Sequence, residues 1–207
     1  TGLFKNFDSP SMEELAKIGQ LSILDLSDFI QLRDKQIIVA YFLKKLFEER
    51  RAKRIPPFIF IIEEAHQFAP EQVEKSRAIS KKIIETVARE GRKFNASLVL
   101  VSQRPIQLST TALSQCNTNI ILRISNPYDL EHIGKSCEGI TRDMIRTIPG
   151  LKVGEAIVTG EVVNYPLLVK VRGRKSKKSE KGIELEKALL EFSENLKSRE
   201  KDLDAFV

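Results

Sequence analysis

The chain contains no tryptophan, and only two cysteines, two histidines and two methionines among 207 residues. Cys116 and Cys137 lie far apart in sequence, which excludes a disulfide scaffold. Two lone thiols suit a reducing compartment, so a cytoplasmic location is expected. Cysteine and histidine are also too scattered for a zinc site. Long apolar runs are missing. Those present are short, Phe58 to Ile62 being strand-sized, far short of the roughly 20 residues of a membrane helix. The opening TGLFKNFDSP has no basic segment, apolar segment or cleavage site, so no signal peptide is visible. No methionine starts the chain, and a fragment or processed product is expected. A phosphate-binding loop is absent too. Such a loop needs G-x-x-x-x-G-K-[ST] between a strand and a helix, so that backbone N–H groups cradle phosphates. Gly134-Lys135-Ser136 comes nearest, but Asp129 stands five residues before Gly134, and the lead-in PYDLEH reads as a helix.

What remains suits a folded protein. Hydrophobic residues make up 42% and charged residues 30%, enough for one well-buried α/β domain or two small ones. Lys+Arg number 34 against 28 Asp+Glu, a net charge of +6. That excess is compatible with a nucleic-acid partner without establishing one. The densest basic run, KVRGRKSKKSEK at Lys170 to Lys181, has seven basic residues against one acidic and reads as a solvated linker. Arg142 and Arg146 on a short polar helix are weaker candidates for phosphate contact. No helix-turn-helix, zinc or aromatic base-reading motif is present. Lys, Glu and Ile are frequent, a mixture compatible with a hyperthermophile.

The hydrophobic pattern alternates between strand and helix. Leu21 to Leu26 is expected as a first strand, and Gln31 to Lys53 as a long helix with Ile37, Ile38, Tyr41, Phe42, Leu46 and Phe47 on its buried face. Pro56-Pro57 stops it. Phe58 to Ile62 is apolar throughout, as in a strand buried on both faces of a parallel sheet. A helix is expected over Val73 to Glu90, with Ile79, Ile83 and Val87 on one stripe and Gly91 as its terminator. Strands follow at Ser97 to Val101 and Asn119 to Ile124, then short helices at Tyr128 to Lys135 and Arg142 to Thr147. Gly154 to Gly160 and Tyr165 to Val171 read as a hairpin. Gly182 to about Lys201 reads as a last helix, with an apolar seam of Leu185, Leu189, Phe192 and Leu196. The expected fold is α/β, with a mostly parallel central sheet flanked by helices and closed by a β-hairpin. Domain limits are expected near 1–172 and 173–207.

Ligands of open α/β sheets bind beyond the carboxyl ends of the strands. The expected first strand ends in Asp25-Leu26, and the Asn119 strand in Ser125-Asn126. The Phe58 strand ends in Glu63-Glu64-Ala65-His66, and the Ser97 strand in Ser102-Gln103-Arg104. Paired acids after an apolar strand suit nucleotide hydrolysis. Glu63 can hold Mg²⁺, Glu64 can orient and deprotonate the attacking water, and Gln103 can contact the γ-phosphate. The bland alternative is a solvated strand-to-helix turn, since acidic pairs often begin helices. His66 alone is read as a hydrogen-bonding partner.

The segments FIFIIEEAHQFAPE, AREGRKFNASLVLVSQRP, NIILRISNPYD and PGLKVGEAIV occur in that order. Together they resemble the C-terminal half of the ATPase domain of the HerA family, archaeal hexameric DNA translocases of the FtsK–HerA superfamily with a RecA-like fold. The resemblance spans about Leu21 to Val171. It implies that Glu63 is the Walker B acid, where many members carry Asp, and that Glu64 is the catalytic glutamate. Gln103 falls on the polar residue ending the next core strand. The family's arginine finger implicates Arg89, expected to point outward from the sheet's carboxyl edge, with Arg92 as the alternative. Also implied are ATP and Mg²⁺ as cofactors, double-stranded DNA and a NurA-like nuclease as partners in end resection, a homo-hexamer, and no membrane. The missing phosphate loop leaves a second reading, a catalytically silent oligomerisation or DNA-binding module.

Overall fold

The computed structural model describes residues 11–72, 78–137 and 139–177. The chain divides into two compact units, Thr1–Val171 and Arg172–Val207. Only 172–177 of the second unit are described, and they are irregular. The expected last helix, the start of the helix expected from Val73 and the end of the basic run lie outside the described residues.

A one-turn helix, α1 (Met12–Leu15), starts with a capping box in which Ser11 and Glu14 each accept the other's backbone N–H. Residues 21–26 form no strand. Leu21 and Ile23 are exposed and only Leu26 touches the core. A short apolar run becomes a strand only when a partner accepts its hydrogen bonds, and no described strand pairs with it.

The long helix α2 (Leu32–Arg51) buries Gln36, Ile38, Val39, Leu43, Leu46 and Phe47. The face is rotated slightly from the expected one, and Tyr41 points out. Two arginines end it. Arg50 donates to the Phe94 and Ile55 carbonyls at 2.7 and 2.9 Å, and the Arg51 guanidinium lies over the Phe47 and Phe94 rings at 5.7 and 5.3 Å.

β1 (Phe58–Ile62) leads into a one-turn helix, α3 (Ala65–Phe68), and then α4 (Lys81–Glu90). α4 buries Ile84 and Val87, while Ile79 lies outside it and is exposed. Gly91 caps the end of α4 as expected, but in right-handed geometry. It opens a 3₁₀ turn (Gly91–Phe94), and Asn95 (φ 54°) makes the left-handed exit. Gly91 is needed for close approach instead, because a Cβ there would lie 2.2 Å from the Ala96 carbonyl oxygen. β2 (Ala96–Leu100) then pairs parallel with β1, Phe58 opposite Ala96 and Ile62 opposite Leu100. Phe58, Phe60, Leu98 and Leu100 pack on Val39, Leu43, Phe47, Ile84 and Val87. Ile59 and Ile61 on the other face are 67% and 57% exposed. The expectation of burial on both faces is corrected: among the described residues one face of the pair is covered.

After α5 (Thr110–Ser114) comes β3 (Thr118–Ile121), then α6 (Pro127–Ser136) and α7 (Arg142–Thr147). β4 (Glu155–Gly160) and β5 (Leu167–Lys170) form the expected hairpin. β3 pairs antiparallel with β4. The mostly parallel sheet is therefore corrected to one parallel pair and a three-stranded antiparallel sheet, β3-β4-β5. α6, α7 and a 3₁₀ turn (Ile148–Gly150) lie between the two antiparallel strands. The two helices meet at Gly134, where a Cβ would come within 2.5 Å of Ile145 Cδ1. A second core of Ile121, Leu130, Ile133, Ile148, Leu151 and Ile157 lies beneath them. Leu113 packs against both cores.

Candidate functional site

Parallel pairing brings the ends of β1 and β2 to one edge. The ladder continues past both strands: Val101 donates to the Ile62 carbonyl and Ala65 to the Val101 carbonyl, each at 2.9 Å. Glu63-Glu64 is thereby fastened beside Val101 to Gln103. Glu64 turns the chain sharply from strand into α3 with left-handed backbone angles, φ 50° and ψ 43°. That conformation costs a non-glycine residue about 1–3 kcal/mol, a form of strain that collects at functional sites. The turn is closed by Gln67 N–H donating to the Glu64 carbonyl at 2.8 Å.

The side chains converge. Gln103 Nε2 donates to Glu64 Oε1 at 2.8 Å. Glu64 Oε2 is 3.5 Å from His66 Nδ1, which in turn is 3.0 Å from Ser102 Oγ. Ser102 Oγ also accepts the Arg104 N–H at 3.1 Å. Glu63 is exposed, with no partner among the described residues. A single free carboxylate beside a partnered one fits a Mg²⁺ ion. That ion keeps most of its waters and is usually held by one or two carboxylates together with substrate phosphates. It does not fit an all-protein cage, and no cluster of three or more metal-binding side chains exists among the described residues.

Other expected site residues lie elsewhere. α4 runs back against the strand direction, so Arg89 at its end and Arg92 in the following turn stand at the amino edge of the sheet. The expected placement of Arg89 at the carboxyl edge is corrected. Five strand residues, roughly 16 Å, separate that edge from Glu64 of the same chain. Arg92 meets Glu161 at 3.5 Å. Asn126 caps α6, accepting the Tyr128 N–H at 3.0 Å, and takes no part in the acid edge. Lys135 pairs with Glu131 within α6, and Ser136 is buried, so Gly134-Lys135-Ser136 is helix and not a phosphate loop. Arg146 meets Asp143 at 3.6 Å.

The floor beneath the site is polar and was not read from the sequence. Glu71 accepts the Thr110 N–H and hydroxyl at 2.6 and 2.7 Å. Burial alone would raise its carboxyl, but those bonds and the charges of Lys81 and His132 hold it below the ordinary carboxylate range. Buried Ser80 donates to the Phe68 carbonyl at 2.6 Å, and buried Gln36 donates to the Gln67 carbonyl at 2.7 Å. These bonds hold α3, which carries His66, on the core.

No family model matches the chain. Solved structures share its fold. The genome-packaging NTPase B204 of Sulfolobus turreted icosahedral virus 2, solved with ATP-gammaS, matches with a TM-score of 0.57 at 17% identity over 81% of this chain and 74% of that one. VirB4 of Thermoanaerobacter pseudethanolicus matches at 0.55 and 14%, over 72% and 39%. These likenesses show a shared α/β fold. Sequence goes further. The chain is 33% identical to the DNA double-strand break repair helicase HerA of Pyrococcus furiosus, over 84% of this chain and 37% of that protein. It is 41% identical to a probable helicase of Methanocaldococcus jannaschii, over 75% and 31%. The chain is a homologue of the HerA helicases. It spans about a third of the length of the curated relatives it matches.

Proposed function

We propose that the chain is the C-terminal part of the ATPase domain of a HerA-type, ATP-driven translocase of double-stranded DNA. The observation that carries the reading is the 2.8 Å bond between Gln103 and Glu64 at the carboxyl edge. It links an acid suited to activating water with an amide on the neighbouring strand, which is where a γ-phosphate's presence can be sensed. In this reading Glu63 holds Mg²⁺, which supplies charge neutralisation on the phosphates. Glu64 takes a proton from the attacking water. Gln103 orients Glu64 and contacts the γ-phosphate. Arg89, or Arg92, reaches the site of the next subunit in a hexameric ring, a role supported by its place on the opposite edge from its own Glu64. ATP turnover then moves duplex DNA for end resection beside a NurA-like nuclease, in the cytoplasm. The phosphate loop comes from outside these residues.

The test is steady-state ATPase beside nucleotide binding, in a polypeptide that joins this segment to a phosphate-binding loop. Glu64→Gln keeps shape and removes the base, so turnover falls by about 10²-fold or more while ATP affinity and assembly hold. A variant retaining more than about a third of turnover rejects the base assignment. The silent-module reading is favoured by the missing loop motif. It requires that Glu64→Gln change nothing but DNA binding or assembly.

A further inference from the structure

The Glu64 carboxylate has a close donor on one side only. Oε1 takes the Gln103 amide at 2.8 Å, while Oε2 faces His66 Nδ1 at 3.5 Å. The His66 side chain is 11% exposed and that of Glu64 is 40% exposed. The imidazole is walled in, and the carboxylate opens to solvent. The ring cannot swing freely, because Nδ1 is 3.0 Å from Ser102 Oγ. That hydroxyl is itself held by the Arg104 N–H. From behind, Gln36 fixes the Gln67 carbonyl and so the turn of helix that carries the ring.

We propose that His66, oriented by Ser102, is a positioning residue for Glu64. It closes the side of the carboxylate away from Gln103, so that the remaining lone pairs face water above the strand ends. The proposal deepens the reading of Glu64 as the base and rests on it. Its chemistry requires the proton on Nδ1. In that form the ring N–H lies between Ser102 Oγ and Glu64 Oε2, and the negative carboxylate favours it. With the proton on Nε2, Ser102 donates to Nδ1 and Oε2 has no donor. A carboxylate held on both oxygens stays in one orientation through the reaction, which lowers the barrier without tightening nucleotide binding.

Two measurements decide it. In the 207-residue chain, imidazole ¹⁵N shifts report the tautomer of each of the two histidines. His66 is expected mainly as the Nδ1–H form, and Glu64→Gln is expected to move its signals while those of His132 stay. A His66 that is the Nε2–H form with and without the Glu64 charge overturns the contact. In the polypeptide that includes a phosphate loop, His66→Ala is expected to lower kcat about 10-fold, the lower end of the effect of an orienting partner, with nucleotide KM unchanged. His66→Asn, which restores an N–H near the same place, should recover most of the loss. In a Glu64→Gln background His66→Ala should cost nothing more, since both act through one carboxylate. Losses that multiply overturn the positioning role and leave the base standing. A Glu64→Gln protein with normal turnover overturns both.

Discussion

The two cores of residues 11–171 use strand direction in opposite ways. In the β1–β2 pair both strands run the same way, so both deliver their last residues to one edge. Glu63, Glu64, Ser102 and Gln103 meet there although 39 residues separate Glu64 from Gln103 in sequence. In β3-β4-β5 the neighbours alternate, so the end of each strand lies beside the start of the next. Asn126, five residues past β3, caps a helix. Parallel pairing concentrates chemistry at an edge and antiparallel pairing disperses it, which is why the candidate site belongs to the first core.

The comparison breaks most sharply if the two cores unfold separately. Leu43 in the first and Ile148 in the second are completely buried, so truncating either to Ala should cost about 2–5 kcal/mol. Because Leu113 joins both clusters, each variant should show one denaturation transition by circular dichroism and by fluorescent-dye binding. Two transitions in either variant would show the cores to be independent.

Much of the first core was legible. Phe58–Ile62 reads as a strand from its composition alone, and the acids that follow it mark the edge. The exposure of Ile59 and Ile61 was not legible, because an apolar run does not say which of its faces meets a neighbour. The direction of β3 was hidden for a related reason. Ile120 points out and Ile121 in, and four residues do not encode which partner they choose. Leu21–Leu26 misled because apolar character without a ladder partner makes no strand. α3 is one turn long, too short to show a period. The His66–Ser102 contact joins residues 36 apart, and only the register of β1 against β2 predicts it.

A smaller effect sharpens the comparison at the antiparallel sheet. Gly160 has φ 113°, and a Cβ there would lie 2.0 Å from the Asn117 carbonyl oxygen. Gly160→Ala should cost about 1–3 kcal/mol in urea unfolding. It should leave the His66 imidazole shifts where they are, since β4 does not support the acid edge. Movement of those shifts would show the two sheets to be mechanically coupled.

The smallest effect is invisible at neutral pH. Burial, with a contribution from Cys116, pushes the Cys137 thiol up from 9.0 to about 11. The raised value favours the protonated form in the fold. Its contribution to stability is complete below pH 9 and is lost as pH rises through about 11. Thermal melts at pH 8 should therefore match for the native chain and Cys137→Ser once the packing loss is subtracted, and should diverge above pH 9. Alkylation of native Cys137 at pH 8 should be about 100-fold slower than in urea, following thiolate fraction. Equal rates would place the thiol outside the second core.

The left-handed backbone of Glu64 carries a consequence for how such a chain changes over generations. Glycine at 64 would remove the steric conflict of a side chain at φ 50° and raise stability by about 1 kcal/mol. A library selected only for heat tolerance should therefore accumulate Glu64→Gly and Glu64→Asn, and each would pass any screen for folding. Adding a requirement for ATP turnover should purge both at once. Under the proposed role of Glu64, the residue that stands at 64 is thus a readout of whether a lineage has been selected for turnover or for stability alone.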